Sequence, residues 1–325
     1  MEKQSATALA HPNIAFIKYW GNRDEALRIP MNSSLSMNLD ALSTTTSVEF
    51  RSDLQHDDLV IDGANASSEA VQRVSTFLDI LRARMPEKDC KAIVISQNNF
   101  PMGAGIASSA SAFAALAVAA SKAAGLELDE ASLSRLARRG SGSACRSVPA
   151  GFVEWQAGTS DKDSYAFSIA LADHWQLVDL IAVVSRTHKE VGSSAGHALA
   201  STSPLQNARV ADCPRRLQIC RQAIIEKDFS TFAKIVELDS NLMHAVMMTS
   251  SPNLIYWEPA TINIMKKVHE WRSQGLQVCY TIDAGPNVHV LCTAENAQTV
   301  EKMLQTLPGV ETIYRSYPGG GVQIS

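Results

Sequence analysis

The sequence predicts a two-domain α+β protein, and three observations carry that reading. A length of 325 residues suggests about two domains, with chain enough for a core in each. Strand-type and helix-type runs do not alternate regularly, which argues against a doubly wound parallel sheet. A polar, glycine-bearing stretch at 185–203 changes the composition, so residues 1–185 read as an N-terminal unit and 186–325 as a C-terminal one.

The elements follow from pattern and punctuation. Residues 43–51 (STTTSVEFR) alternate with β-branched side chains and predict a strand, with 59–62 as its pairing partner. Residues 68–85 predict an amphipathic helix, and 91–97 (KAIVISQ) a short apolar strand running into a glycine-rich loop. The helix after that loop is almost wholly alanine and stops at Gly125; a second runs from 130 to 139 and stops at Gly140. Strands are predicted at 151–156, 165–171 and 177–185. Beyond the boundary come helices at 204–225, 229–247 and 259–274. A strand at 277–282, a turn at 283–287, a strand at 288–293, a helix to 307 and a strand at 310–316 close a β-β-α-β order. There is no internal repeat or low-complexity tract.

Composition narrows the function classes. Hydrophobic content of 46%, charged content of 19% and a net charge of −4 describe an ordinary globular protein. With a pI near 6.1 there is no basic excess to neutralise a nucleic-acid backbone. Six cysteines without CxxC spacing, mostly in apolar segments, read as buried thiols of a reducing compartment. No apolar run suits a signal peptide or a membrane span, so a cytoplasmic protein is expected.

The glycine-rich loop is the strongest functional signal. In PMGAGIASSASAFAALAVAASKAAG (101–125), free backbone N–H groups at a helix N-terminus, backed by the helix dipole, suit a phosphate. Gly103 and Gly105 allow close backbone approach, and Ser108, Ser109 and Ser111 offer hydroxyls to phosphate oxygens or Mg²⁺. No lysine follows, so the loop is neither Walker A nor a dinucleotide fingerprint. Read alone, the stretch equally suits a tightly packed core helix. Three further constellations stand beside it. NIAFIKYWGNRD (13–24) sets Lys18 and Arg23 around Tyr19 and Trp20. GSGSACRS (140–147) is a second nest-like turn carrying Arg146, whose planar fork suits a carboxylate or phosphate. IDAGPN (282–287) places Asp283 in a tight turn. Taken singly these read as a surface lysine, a helix start and a turn former. Together they supply two phosphate cradles, a carboxylate and two cations.

With NSSLSMNLD, SQNNFPMGAGIASSASAFAAL and LDSNLMHA added, these motifs resemble the mevalonate diphosphate decarboxylases of the GHMP kinase superfamily, in unbroken order from about residue 10 to 287. The resemblance implies a ribosomal-protein-like N-terminal domain, a ferredoxin-like C-terminal domain and an active site in the cleft between them. It also implies a homodimer. The implied chemistry uses ATP and Mg²⁺ to phosphorylate the C3 hydroxyl of a phosphorylated mevalonate; loss of phosphate then draws electrons from the carboxylate bond, releasing CO₂ and an alkene.

By the same resemblance Asp283 lies at the C3 hydroxyl, Lys18 offsets charge beside it and Arg146 holds the substrate carboxylate. Asn13, Tyr19, Trp20, Asn22, Arg23, Ser141, Gly142, Ser143 and Ala284 would line the substrate. Ser96 and Asn98 would lie near adenine. Gly103, Gly105, Ala107, Ser108, Ser109, Lys189, Ser193 and Ser194 would hold the nucleotide phosphates, with Ser109 as the candidate metal ligand. Asp239, Asn241 and His244 match a family motif without an evident role beyond a helix packing beneath the cleft.

Three departures bear on the substrate. Diphosphomevalonate decarboxylases resembling this chain generally carry a lysine where Asn22 stands, an arginine on the helix after the early hairpin where alignment puts Ala70, and often an arginine at the position of Ser194 or Ala195. A terminal phosphate held without countercharge is unfavourable. The charge count therefore favours mevalonate 5-phosphate over the 5-diphosphate. A mevalonate 3-kinase that stops before decarboxylation, and a noncatalytic anion-binding protein on the same fold, are the other readings. The joint presence of Asp283, Lys18 and Arg146 argues against the kinase, and the acidic pI and intact glycine loop argue against a noncatalytic anion-binding or RNA-associated protein.

Overall fold

The computed structural model describes residues 5–100, 108–186 and 192–325, with the side chains of 193 and 194 left out. Gly103, Gly105, Ala107 and Lys189 thus lie outside the described residues. Three main sheets build the molecule. The first runs in the order Gln323–Ile324, Ser5–Ala10, Thr44–Arg51, Lys91–Asn98, Asp58–Ile61, Ala64–Asn65. Thr44–Arg51 alternates buried and half-buried positions, as its period-2 pattern requires. The alanine-rich helix Ser108–Ala123 lies across the inner face, packing Phe113, Ala114 and Ala117 into one core with Ala8, Val48 and Val94. Alanine lets helix and sheet approach closely, so a small side chain here is a packing requirement.

Asp58–Ile61 does not pair with Thr44–Arg51 as the alternation suggested. It pairs in parallel with Lys91–Asn98 (Leu59 opposite Val94), while Lys91–Asn98 takes Thr44–Arg51 as its antiparallel neighbour. A parallel pair needs a crossover connection, and helix Ser68–Arg82 supplies it.

The second sheet, Ala166–Ala170, Phe152–Trp155, Ser34–Asn38, Asn13–Ile17, is covered on both faces, and its last three strands are buried throughout. The third, Val278–Thr281, Val288–Thr293, Leu177–Val183, Thr312–Ser316, is entirely antiparallel. Its central strand Leu177–Val183 lies within the 1–185 unit that composition predicts. Its two sides show why it belongs here. Val178, Leu180 and Ala182 pack on Ile264, Val268 and Val300 of helices Pro259–Ser273 and Ala294–Gln305. Leu177 and Ile181 point the other way, into a core with Cys213, Cys220 and Phe232 of helices Gln206–Glu226 and Phe229–Met248. That core continues to Phe16, Leu35 and Phe152 of the second sheet, so the two halves share one apolar layer. The division at residue 185 therefore cuts a strand from its sheet. At the far end, Gln323–Ile324 leaves the C-terminal half and pairs with Ser5–Ala10, Ile324 opposite Ala8.

All six cysteines are free and buried, as the composition suggested. Among the described residues no helix is long and apolar enough to cross a membrane.

Candidate active site

Strand Asn13–Ile17 leads into Lys18 at the seam of the two halves. The Lys18 side chain is 1% exposed, and its Nζ donates to Asp283 Oδ1 at 2.5 Å. The backbone around it is held from several sides. Lys18 N–H donates to Asp239 Oδ1 (2.7 Å), and its carbonyl accepts from Arg209 Nη2 (2.7 Å) and Asn32 Nδ2 (2.9 Å). Burial lowers the Lys18 pKa although Asp283 opposes the shift. For Asp283, burial alone would raise the pKa; the Lys18 ammonium, with His289 and Arg146, outweighs it and holds the carboxyl below its usual value. The carboxylate is thus ionised at neutral pH, and 29% of its side-chain surface remains open.

Asp283 sits where Val278–Thr281 gives way to the turn before Val288–Thr293, and Gly285 N–H closes that turn on Asp283 O at 2.7 Å. Helix Phe229–Met248 carries the three residues whose role the motif left open, and their bonds go beyond simple packing. Fully buried Asp239 ties Lys18 N–H on one oxygen and accepts from Arg216 Nε (2.7 Å) on the other. Ser240 Oγ accepts from Ile282 N–H (3.0 Å), His244 Nε2 lies 3.4 Å from Ile282 O, and Asn241 bonds the Tyr280 hydroxyl. One helix therefore positions both members of the Lys18–Asp283 pair.

Arg146 lies in the last turn of the 3₁₀ segment Gly142–Ser147 and is 4% exposed. Its Nε donates to Asn13 Oδ1 (3.1 Å), its Nη1 to Ser34 Oγ (2.7 Å), and its guanidinium lies 5.9 Å from the Trp155 ring centroid. Nη2 has no protein partner among the described residues. Asn13 is fixed in turn by donating to Ser147 Oγ (2.8 Å) and Ser143 O (3.1 Å). Arg146 is close enough to both Lys18 and Asp283 to shift their titration, so the structure brings the three expected residues together.

On one side of this cluster Tyr19 packs against Gly142, where a Cβ would meet the ring at 2.6 Å, and its hydroxyl donates to Asn22 Oδ1. Asn22 Nδ2 donates to Glu25 Oε2 at 2.8 Å. Ser141 Oγ lies 3.2 Å from Ser109 Oγ, joining the two small-residue turns. Not every expected residue reaches this space. Trp20 is buried among Met243, Met247, Leu254 and Ala284, with Gly196 seated against its ring. Ala284 packs in that same apolar cluster. Arg23 is exposed and donates to Gly158 O at 3.2 Å. These are supports or surface groups.

On the other side lies a mainly apolar cavity of about 310 Å³, walled by Leu59, Ile61, Val94, Phe113 and Leu116. Ser96, Asn98, Ser108 and Ser109, the residues the resemblance sets beside a nucleotide, line its polar edge. Ala70 and Arg73 both line it, and this changes the count of cations. Ala70 is not the residue that reaches the substrate end. Arg73, one turn further on, stacks on Phe113 (4.6 Å) and donates from Nη2 to Gly140 O at 2.9 Å, beside Ser141. An arginine on the early helix is therefore present, three residues after Ala70.

Sequence reasoning missed His197. It lies on helix Ser193–Leu199, stacks on Tyr19 (ring centroids 4.1 Å apart) and accepts Gly21 N–H on Nδ1 at 2.9 Å. Burial, then Arg28, Arg209 and Arg146, lower its pKa to about 3. Its only signal was a histidine three residues after the serine pair Ser193–Ser194.

Residues 10–166 match the profile of the diphosphomevalonate decarboxylase-like N-terminal domain, and residues 179–319 that of the mevalonate 5-diphosphate decarboxylase C-terminal domain. The diphosphomevalonate decarboxylase of Candida albicans is 38% identical over 95% of this chain and 91% of its own length. The human diphosphomevalonate decarboxylase is 40% identical over 87% of this chain and 75% of its own length. Mevalonate diphosphate decarboxylase from Staphylococcus aureus superposes with a TM-score of 0.93, 38% identity and coverage of 99% of this chain and 98% of that one. A structure described as MDDEF in complex with MVAPP, AMPPCP and magnesium gives the same TM-score at 37% identity and the same coverage. These relatives speak for the diphosphate and not for the monophosphate that the cation count favoured.

Proposed function

The chain belongs to the diphosphomevalonate decarboxylase family of ATP-dependent carboxy-lyases, and on that premise we propose that it converts mevalonate 5-diphosphate, with ATP, to isopentenyl diphosphate, CO₂, ADP and phosphate. The observation that carries this is the ionised Asp283 held by buried Lys18 beside Arg146. Asp283 accepts the C3 hydroxyl proton as the oxygen attacks the γ-phosphate, and Lys18 keeps the carboxylate ionised until then. Arg146, whose Nη2 has no protein acceptor among the described residues, holds the substrate carboxylate. When C3–O cleavage later releases phosphate, the electron pair of the C–CO₂ bond forms the alkene.

The serine hydroxyls at the head of helix Ser108–Ala123 are hard oxygen donors of the kind Mg²⁺ accepts when nucleotide phosphates provide most of its ligands. The metal, when bound, neutralises phosphate charge. Ser108 and Ser109 would orient the phosphates, and Ser96 and Asn98 the base. Ser193 and Ser194 open helix Ser193–Leu199, where backbone N–H groups would also face the phosphates. Homodimerisation and a cytoplasmic setting belong to the same proposal and rest on the family resemblance.

One observation favours mevalonate 5-phosphate as the second reading: Asn22, at the position generally lysine in relatives, is bonded to Tyr19 and Glu25 and brings no positive charge. Incubation with ATP, Mg²⁺ and, in turn, mevalonate, its 5-phosphate and its 5-diphosphate, following CO₂ and ADP, decides between them. ADP without CO₂ would reject decarboxylation. Faster turnover of the monophosphate at equal subsaturating concentration would reject the diphosphate.

A further inference from the structure

The hairpin that carries Asn22 also carries a cation. Arg28 closes the turn between Asn22–Asp24 and Ile29–Pro30 with φ at 50°, in the left-handed region. Its Nε donates to Arg139 O at 3.1 Å. The next carbonyl, Gly140 O, takes Arg73 Nη2 at 2.9 Å. Two guanidinium groups from distant segments thus meet on successive carbonyls at the C-terminal end of helix Glu130–Gly140, immediately before Ser141. Free carbonyls at a helix end favour cations, which explains how both are held.

Among the described residues no carboxylate pairs with either guanidinium. Arg82, Arg138 and Arg216, by contrast, each meet one at ion-pair distance. Glu25 is engaged by Asn22, and Glu69, on Arg73's own helix, acts on Arg73 without forming an ion pair. Burial and then the charge of Arg28 lower the Arg73 pKa, and Arg28 also bears on Tyr19 and His197. Two like charges left side by side at the edge of a cleft favour a multiply charged anion between them.

Building on the diphosphate reading, we infer that Arg28 is a specificity-determining residue: with Arg73 it binds the terminal phosphate of the substrate, supplying the cation that Asn22 does not. Tyr19 and the Gly140–Ser143 turn place the inner phosphate, and Arg28 reaches the outer one from the hairpin. The monophosphate lacks that outer group and so gains little from Arg28.

Arg28→Asn removes the charge and suits the backbone, since asparagine tolerates the left-handed region. With saturating ATP, kcat/KM for mevalonate 5-diphosphate should fall about ten- to a hundred-fold, chiefly through KM, the size of one charge-assisted contact. The value for the 5-phosphate should change less than about threefold, which doubles as the folding control. Arg28→Lys should keep part of the diphosphate activity, and Asn22→Lys added to Arg28→Asn should recover part of the loss. Equal losses on both substrates, or an unchanged ratio, overturn the role of Arg28. A wild type that uses only the monophosphate refutes the substrate reading instead, so the two failures are told apart.

Discussion

Asp283→Asn removes one charge from the buried pair on which the chemistry depends, and two quantities should respond separately. The amide can still accept a hydrogen bond from Lys18 Nζ, which lies 2.5 Å from the carboxylate oxygen, but it cannot take the C3 hydroxyl proton. Turnover should fall by about 10² to 10⁴, the range for a positioned acid–base group, with the substrate KM little changed. Stability should fall as well. Lys18 is 1% exposed and Asp283 is its one ion-pair partner among the described residues, so an uncompensated ammonium is left buried. Breaking a buried pair costs about 3–5 kcal/mol, and the 29% exposure of Asp283 puts this case near the lower figure. Lys18→Met in the Asp283→Asn background should regain much of that stability and none of the turnover. Steady-state kinetics and urea unfolding of the four proteins form the cycle. Near-normal kcat in Asp283→Asn would remove the carboxylate from the mechanism, and additive stability losses would show that the pair is not coupled.

Arg146→Lys keeps the charge but not the fork that bonds Asn13 and Ser34 while presenting Nη2; kcat/KM should drop at least about tenfold, and an unchanged value would count against a carboxylate clamp. Gly142→Ala should raise the substrate KM, because the added Cβ would stand 2.6 Å from the Tyr19 ring and push it from its place; an unaltered KM would free Tyr19 of that role. His244 is buried and neutral, its pKa lowered to about 3 by burial and then Lys18, so the unfolded chain binds its proton first on acidification. Stability should therefore fall as pH drops below about 6.5, by up to about 1.4 kcal/mol per unit from this group. His244→Gln should flatten urea midpoints measured between pH 7 and 5, and an unchanged slope would refute the assignment. Asp283 behaves differently: its depressed pKa means its contribution is present above about 3.9 and lost only as pH falls through the lower folded value.

Local pattern determined a good deal of this protein by itself. Periodicity and caps are near-neighbour effects, so the helices Ser68–Arg82, Glu130–Gly140, Phe229–Met248 and Pro259–Ser273 were readable to within a few residues. The site was legible through the motifs around Lys18, Arg146 and Asp283 taken together and their resemblance to a known family, since each residue taken singly reads as a surface lysine, a helix start or a turn former. Tertiary structure decided the partners. The short apolar run at 59–61 suggests a strand but not which strand lies beside it, and the crossover helix puts Lys91–Asn98 there. Leu177–Val183 is apolar on both faces, a pattern that any central strand shares, so only its pairing with Val288–Thr293 and Thr312–Ser316 assigns it to the C-terminal sheet. Asp239 reads as an ordinary polar position on a helix until the fold brings Lys18 N–H and Arg216 to its two oxygens across 221 and 23 residues of chain. Arg73 is the clearest case. A cation count along the chain misses it by one helical turn, because charge acts through distance in space and the helix axis alone settles which residue of that turn faces the cleft.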